Sequence, residues 1–368
     1  MGVLLFALYI IVEDKFEECI IAFCAIIIIF LALLNAVKEP ASDTVWYNEY
    51  YSQVAKYSFT KYVFLLGKEP VFGIFNWIIY QIIGINLPAY SFVITCISYF
   101  LLIYSVYRFG KANKYPTYNI LFGIVAIAFI PYIYTQSTHG IRQFIANSLL
   151  AYIMVERIFY GKRMWLFMGL MFLVHSSSGI FIPLLFINKL KRPIGKGNLV
   201  IYVGIIIVIL TYRVVGVWLM PLLGDNQSLS YVASRMAQER TGGMIMENYM
   251  ITLNILTLVG ILFCIYKRKT HRFYNGSNRF MHIVCFLIFY VLCNYDQDVI
   301  SLRFNFYVWT LFPFIMMFCF YSLNFKSYHY YVMSLIIFLY SFYYLEYLGI
   351  WKYNVPMPVY KCSILYYF

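Results

Sequence analysis

Residues 19 to 37 read CIIAFCAIIIIFLALLNAV, a run of 19 residues without a charged side chain. About 20 consecutive apolar residues are enough for an α-helix to cross the hydrocarbon core of a bilayer. This stretch therefore predicts a membrane-spanning helix, and similar apolar runs recur along the rest of the chain.

The composition of the whole chain is that of a membrane protein and excludes a water-soluble one. Hydrophobic residues make up 63% of the 368 residues and charged residues 12%, and the mean hydropathy is +0.74. Soluble globular proteins carry roughly 25% charged residues. The apolar residues come in runs separated by short charged clusters, so we predict a single integral membrane domain over residues 1–368.

Apolar runs follow one another along the chain, and several have the length of a membrane span. They predict an all-α polytopic membrane bundle of about 11–12 transmembrane or partial helices. Two short runs, 1–12 and 70–84, suit partial, tilted or interfacial helices. The other runs lie at 19–37, 89–107, 117–134, 141–159, 164–187, 199–221, 249–266, 280–295, 304–323 and 329–349.

The formal net charge of +13 is explained by membrane topology, so we predict no nucleic-acid partner. Lys and Arg gather in the short gaps between apolar runs, and the positive-inside rule places such gaps in the cytoplasm. The eight cysteines lie mostly inside apolar runs and lack the spacing of metal ligands. We therefore expect no metal and no cofactor.

The run 164–187 raises a conflict of topology, because basic clusters at 157–163 and 189–196 flank it on both sides. One spanning helix cannot begin and end on the same side of a membrane. The polar stretch His175-Ser176-Ser177-Ser178-Gly179 interrupts the run, so we predict a re-entrant hairpin buried within the protein. The long gaps 38–69 and 222–248 then both lie on the outer face.

Arg142 is the candidate for binding an anion, because it stands at the start of the run that begins near Gly140. The preceding Ser137-Thr138-His139 offers a Ser or Thr helix cap. In a first helical turn the unpaired N–H groups and the helix dipole favour an anion, and the Arg fork fits phosphate oxygens. The alternative is that Arg142 snorkels to lipid headgroups.

Two further basic residues attract attention for their position. Arg303 repeats the arrangement of Arg142, with Ser301 before it and an apolar run from Phe304 after it. His175 lies inside an apolar run, where ionisable residues are functional candidates by default. For His175 a structural role, in tying off the broken backbone of the hairpin, is the alternative.

The acidic candidates Asp43 and Glu69 share the outer gap 38–69 with several aromatic residues. Asp43 is the first choice as a proton acceptor and Glu69 the second. The aromatic residues suit an interfacial belt and equally suit stacking on sugar rings. They are Trp46, Tyr47, Tyr50 and Tyr51.

Four short motifs, in this order, resemble the Wzy-type, EpsG-like oligosaccharide repeat-unit polymerases of bacterial surface polysaccharide synthesis. They are Asp43-Thr44 with Tyr47, Glu69-Pro70, Gly140-Ile141-Arg142-Gln143 with Ala146, and His175-Ser176-Ser177. The family often has an Arg shortly before the Asp, whereas this chain has only Lys38 there. A Lys keeps the charge and loses the bidentate fork.

The resemblance implies a glycosyltransferase-C-like enzyme of the bacterial inner membrane with its active site on the outer, periplasmic face. Such an enzyme joins polyprenyl-diphosphate-linked oligosaccharides into an O-antigen, a capsule or an exopolysaccharide. It would work among membrane lipids, with a flippase and a chain-length regulator of the same pathway as possible partners.

Roles for individual residues follow from the same resemblance. Asp43, Glu69 and His139 are the catalytic candidates. Arg142, Arg303 and Lys38 are expected to bind the diphosphate, and His175 and Tyr47 to support the site.

Two other functions are compatible with a basic cavity in a helical membrane protein. A transporter of polysaccharide or of lipid-linked oligosaccharide is one, although the chain shows no inverted repeat, which transporters tend to have. An O-antigen ligase is the other, since it uses the same kind of donor with a different acceptor.

Overall fold

Helices make up all regular structure in the part of the chain that the computed structural model describes. That part comprises residues 16–38, 40, 43–66, 69–187, 203–204, 207, 248–267, 275–295 and 298–347. The predicted all-α class is confirmed. The predicted run 1–12 lies outside the described residues, as do the run 199–221 except for residues 203, 204 and 207, and the gap 222–248 except for residue 248.

The helices keep the order of the predicted runs. The α-helices are α1 Phe16–Val37, α2 Asp43–Ser52, α3 Pro70–Ile83, α4 Leu87–Ala112, α5 Thr117–Phe129, α6 Pro131–His139, α7 Ile141–Tyr160, α8 Trp165–Val174, α9 Phe181–Leu184, α10 Asn248–Lys267, α11 Asn275–Cys293, α12 Asp298–Ser322 and α13 Ser327–Tyr347. Short 3₁₀-helices cover Gln53–Lys56 and Ser176–Ile180, and a π-helix covers Lys61–Leu66.

Five of the described helices are long and apolar enough to cross a membrane, and a sixth span results if α5 and α6 count as one bent span. The chain is therefore a multi-pass membrane protein. The five stretches are Ile20–Val37, Leu87–Ala112, Met250–Lys267, Gly276–Cys293 and Ser301–Ser322.

The chain forms two compact units, one of Met1–Leu185 with Phe312–Phe368 and one of Phe186–Leu311. In the second unit, α10 packs against α11, and the buried Asn254 Nδ2 donates a hydrogen bond of 3.0 Å to Asn305 Oδ1 of α12. The single membrane domain over residues 1–368 stays a prediction.

In the first unit α4 packs against both α1 and α7. Its buried face includes the small polar residues Thr95, Ser98 and Ser105. Each hydroxyl donates to the carbonyl four residues earlier in the same helix, which leaves a smooth surface for close approach. Small residues at helix contacts serve the same purpose in membrane proteins generally.

The run 117–134 is broken at Ile130. Residues 135–139, which lie between this run and the run 141–159, are helical. Pro131 disfavours the helical conformation in the residue before it, and Ile130 is extended, with φ −77° and ψ 112°. The chain bends by 50° between α5 and α6. α6 continues to His139, and only Gly140 separates it from α7.

The described residues of the gap 38–69 form mainly short helices, and their tyrosines are largely core residues. Tyr51 is fully buried and Tyr50 is 5% exposed, whereas Trp46 is 41% exposed. Tyr50 stacks on Tyr62 with ring centroids 4.7 Å apart, and Tyr51 stacks on Tyr90 at 4.0 Å. Packing against α3 and α4 thus accounts for most of the aromatic cluster.

The run 164–187 turns back on itself. Its burial within the protein is not seen, because Trp165, Leu166 and Phe172 are 58%, 71% and 44% exposed, and its re-entrant course in the membrane stays a prediction. α8 stops before His175, and Ser178 Oγ donates to the Met171 and His175 carbonyls at 3.1 and 2.7 Å. The returning segment lies so close that a Cβ on Gly179 would be 2.8 Å from the Phe172 ring.

Arg157 of α7 holds both ends of this hairpin. Its Nη1 donates to the Arg163 carbonyl at 3.0 Å, and its Nε donates to the Leu185 carbonyl at 3.2 Å. The hairpin therefore begins and ends beside the same guanidinium, at the carboxyl end of α7.

A buried carboxylate organises the same end of the unit. Glu156 is fully buried, and it binds Arg108 Nε at 2.9 Å and Lys162 Nζ at 2.5 Å. Arg108 ends in cation–π contact with Tyr160, 3.4 Å from the ring centroid. Basic residues predicted to face the cytoplasm thus meet at one end of the bundle.

We predict that both ends of the hairpin face the same side of the membrane. In a cysteine-free background, single cysteines replacing Lys162 and Ile187 should react with an impermeant maleimide in inside-out vesicles and stay unlabelled in intact cells. A cysteine replacing Asp43 is the control for the opposite side. Labelling of positions 162 and 187 from opposite sides would contradict the re-entrant hairpin.

Candidate functional site

Arg142 is the second residue of α7, so its predicted place in a first helical turn is correct. The predicted Ser or Thr cap is wrong. Ser137 and Thr138 lie inside α6, where their hydroxyls donate to the Tyr134 and Thr135 carbonyls at 2.7 and 2.8 Å. Gly140 takes the capping position without a side chain, because α6 extends further than the sequence suggested.

Glu69 forms an ion pair with Arg142 that the sequence did not predict. Arg142 Nη1 lies 2.6 Å from Glu69 Oε2, and the two side chains are 22% and 14% exposed. Glu69 precedes Pro70, the first residue of α3, yet its carboxylate makes no hydrogen bond to its own helix. The carboxylate therefore does not cap α3, and it binds Arg142 of α7 instead.

Aromatic side chains surround the Arg142 guanidinium. Its Nε donates a hydrogen bond of 3.3 Å to the Tyr47 hydroxyl. Its central carbon lies 4.9, 5.5 and 5.9 Å from the ring centroids of Trp46, Tyr47 and Phe72, within the range of cation–π attraction. These contacts hold the guanidinium among protein groups, and an arginine that snorkels to lipid headgroups does not need them.

Arg142 keeps hydrogen-bonding capacity for a ligand. A guanidinium has five N–H donors, and the hydrogen bonds to Tyr47 and Glu69 use one each. Five less two leaves three donors without a partner among the described residues. A phosphate group approaching the partly exposed side chain would meet these donors.

The tip of the hairpin brings His175 to the same carboxylate. His175 Nδ1 lies 3.4 Å from Glu69 Oε1, and the imidazole is 12% exposed. Glu69 therefore stands between the two basic residues, with one oxygen towards each. Within the described residues neither ring nitrogen of His175 makes a hydrogen bond.

Lys38 is a second buried cation near the end of α6. Its ammonium donates to the Thr138 carbonyl and to Thr44 Oγ1, the latter at 3.2 Å, and Thr44 Oγ1 donates to the same carbonyl at 2.6 Å. No carboxylate contacts Lys38 in the described part of the chain. Burial lowers the pKa of Lys38 to about 7.

Lys38 and Arg142 both make contacts to one side of helix α2. Thr44, which binds Lys38, and Tyr47, which binds Arg142, are three residues apart. Residues with that spacing are neighbours on a helix surface. Lys38 and Arg142 therefore both bind side chains on the same face of α2.

The remaining predicted residues have separate positions. Asp43 begins α2 and is exposed, without a hydrogen bond or an ion pair among the described residues. His139 is half-buried and ends α6. Arg303 does not repeat the place of Arg142, because α12 begins at Asp298 and Arg303 lies in its second turn, exposed and in the second unit.

Phe72 carried no functional signal in the sequence, whereas Trp46 was noted only for stacking and Thr138 only as a helix cap. Phe72 and Trp46 flank Arg142, and Thr138 supplies the carbonyl for Lys38. Thr44 alone stood in a quoted motif, beside Asp43. Among the described residues no group of three or more His, Cys, Asp and Glu side chains is arranged to hold a metal ion.

Comparison with known protein families gives one match over nearly the whole chain. The family model described as the EpsG family matches residues 3–359. That range includes Lys38, Glu69, Arg142 and His175. No curated protein and no solved structure gives a significant match.

The lowered pKa of Lys38 predicts a pH dependence of anion binding. Above a pH of about 7 the ammonium becomes a neutral amine, so the affinity for farnesyl diphosphate should fall as the pH rises from 6.5 towards about 9. Lys38→Arg stays charged throughout and should flatten this decline. Calorimetric titration of the detergent-solubilised protein measures both. Parallel pH profiles for wild type and Lys38→Arg would remove Lys38 from the anion site.

Proposed function

Because the chain belongs to the EpsG family, we propose that it is a membrane glycosyltransferase that polymerises polyprenyl-diphosphate-linked oligosaccharides into a surface polysaccharide. The observation that carries the proposal is that two cations, Arg142 in its ion pair with Glu69 and Lys38 bound to Thr44, contact the same face of α2 in a multi-pass membrane protein. This combination suits a substrate with a diphosphate head and a lipid tail.

The two cations answer the first need of the reaction, which is to stabilise the leaving diphosphate. Negative charge builds up on the diphosphate as its bond to the sugar breaks, and fixed positive groups stabilise that charge most in a site with little water. Arg142 offers a planar set of donors, and Lys38 offers a compact point charge.

The second need is a group that takes the proton from the attacking hydroxyl. Asp43 and His139, at the ends of α2 and α6, remain predictions for this role. Glu69 is already bound to Arg142 through one oxygen, and its other oxygen faces His175. Its contribution is to position these two groups on either side of it.

The distribution of charge along α7 supports a position of the site on the outer face. Arg142 and Arg157 are separated by about 22 Å at the α-helical rise of 1.5 Å per residue. The basic residues around Glu156 and Arg157 occupy the far end, which the positive-inside rule assigns to the cytoplasm. We place the protein in the bacterial inner membrane, where flipped lipid-linked donors meet the Arg142 end.

A polymer ladder from a purified system tests this function. Protein in proteoliposomes should extend a polyprenyl-diphosphate-linked repeat unit, extracted from the producing cell, into a ladder on a gel without any other enzyme. No product unless a lipid A core is added would indicate an O-antigen ligase. Movement of the lipid-linked unit across the bilayer without product would indicate a transporter.

Replacing Arg142 should lower the rate of ladder formation whether the substitution removes the positive charge or only the planar guanidinium. Arg142→Ala should abolish the ladder, and Arg142→Lys should restore only part of the rate, since an ammonium cannot form two parallel hydrogen bonds. The measurements are initial rate and the amount of membrane-inserted protein.

The matched control for this series is Arg163→Ala, which removes an exposed Arg at the other end of α7 and should keep the rate. Full activity of Arg142→Lys, with Arg142→Ala failing only through a reduced protein level, would assign Arg142 to helix anchoring.

A further inference from the structure

We propose that His175, held by Glu69 at the tip of the re-entrant hairpin, is the group that takes the proton from the acceptor hydroxyl. The assignment rests on the proposed function and identifies the general base that this function requires. The sequence pointed first to Asp43, and the hairpin geometry points to the histidine instead.

Glu69 is placed to orient the imidazole. Its Oε2 is fixed by Arg142 at 2.6 Å, which leaves Oε1 directed towards His175 Nδ1 at 3.4 Å. A carboxylate at Nδ1 selects the tautomer in which Nε2 is the proton acceptor. The contact is longer than a hydrogen bond, and such contacts in substrate-free enzymes commonly tighten when the substrate binds.

His175 Nε2 is buried and lacks a hydrogen-bond partner among the described residues. A buried polar atom without a partner is rare and calls for an explanation. A structural histidine that tied off the broken helix would bond to the freed carbonyls. Neither ring nitrogen of His175 makes such a bond among the described residues, so the imidazole does not serve that purpose.

The proposed step balances as a simple substitution. The acceptor hydroxyl oxygen forms a bond to the anomeric carbon of the donor, while the bond between that carbon and the diphosphate oxygen breaks. The electron pair leaves with the diphosphate, which Arg142 and Lys38 bind. The hydroxyl proton passes to His175 Nε2 and is later released to water.

Few charged groups surround His175. Between Trp165 and Leu184 the hairpin carries no other titratable side chain. Glu69 approaches from the start of α3, and from α7 Arg142 lies behind that carboxylate. The other charged residues of α7, Glu156 and Arg157, belong to its far end. His175 and Glu69 are therefore the ionisable groups that meet at this point of the hairpin.

Steady-state kinetics of ladder formation in proteoliposomes test the assignment. His175→Gln should lower kcat by about 10²- to 10⁴-fold, the usual effect of losing a general base, with little change in KM for the lipid-linked repeat unit. Glu69→Gln alone should also lower kcat, because Glu69 orients His175 and binds Arg142.

Two controls isolate the role. His329→Gln makes the same substitution in the first turn of α13, where His329 Nδ1 accepts from the Lys326 N–H, and it should keep the wild-type rate. Asp43→Asn tests the competing base. A His175→Gln variant that keeps kcat, or an Asp43→Asn variant that alone loses kcat, overturns the assignment. A wild type that makes no ladder overturns the proposed function itself.

Discussion

A polypeptide inside a bilayer must satisfy its own backbone N–H and C=O groups, and this constraint decides where the chain can place chemistry. Helices satisfy the backbone, so polar side chains gather where helices break. The breaks at Gly140 and His175 follow this rule. Beside Gly140 the Thr138 carbonyl accepts from Lys38, and after α8 the Ser178 hydroxyl donates to the Met171 and His175 carbonyls.

Charge is organised by one carboxylate at each end of α7. Glu156 joins Arg108 and Lys162 at the carboxyl end, and Glu69 joins Arg142 and His175 at the amino end. Removing one partner of a buried ion pair is strongly destabilising, so both clusters fix the helices that carry them. The amino end has in addition Lys38, which contacts no carboxylate among the described residues, and is therefore the end suited to an anion.

The buried tyrosines give the site its rigidity. Tyr62 and Tyr90 both bind the Asn76 side chain of α3, and Tyr50 and Tyr51 stack on these two rings. Helix α2 is thereby fixed to α3 and α4 on the face that also presents Thr44 and Tyr47. A site supported by locked side chains keeps its geometry without the cost of ordering it when substrate binds.

Local sequence patterns predicted much of the fold. Hydropathy gave the helical class and most helix positions, Glu69-Pro70 marked the start of α3, and basic residues on both sides of 164–187 led to the hairpin. These features depend on neighbours in the sequence or on the membrane as solvent. The helical nature of 38–69 and of 135–140 escaped prediction, because short polar helices are stabilised by packing rather than by periodicity.

The candidate site was predicted as separate residues and assembled only by the tertiary structure. Arg142, Glu69 and Lys38 were identified singly, as was His175, while Arg303 was misplaced because α12 begins earlier than its apolar run. The pairing of Glu69 with Arg142 and His175 joins positions 73 and 106 residues apart in the chain. By itself the sequence determined which residues carry charge within the membrane. Only helix packing and the turn of the hairpin decided which charges meet, because contacts over such separations depend on the positions of whole helices.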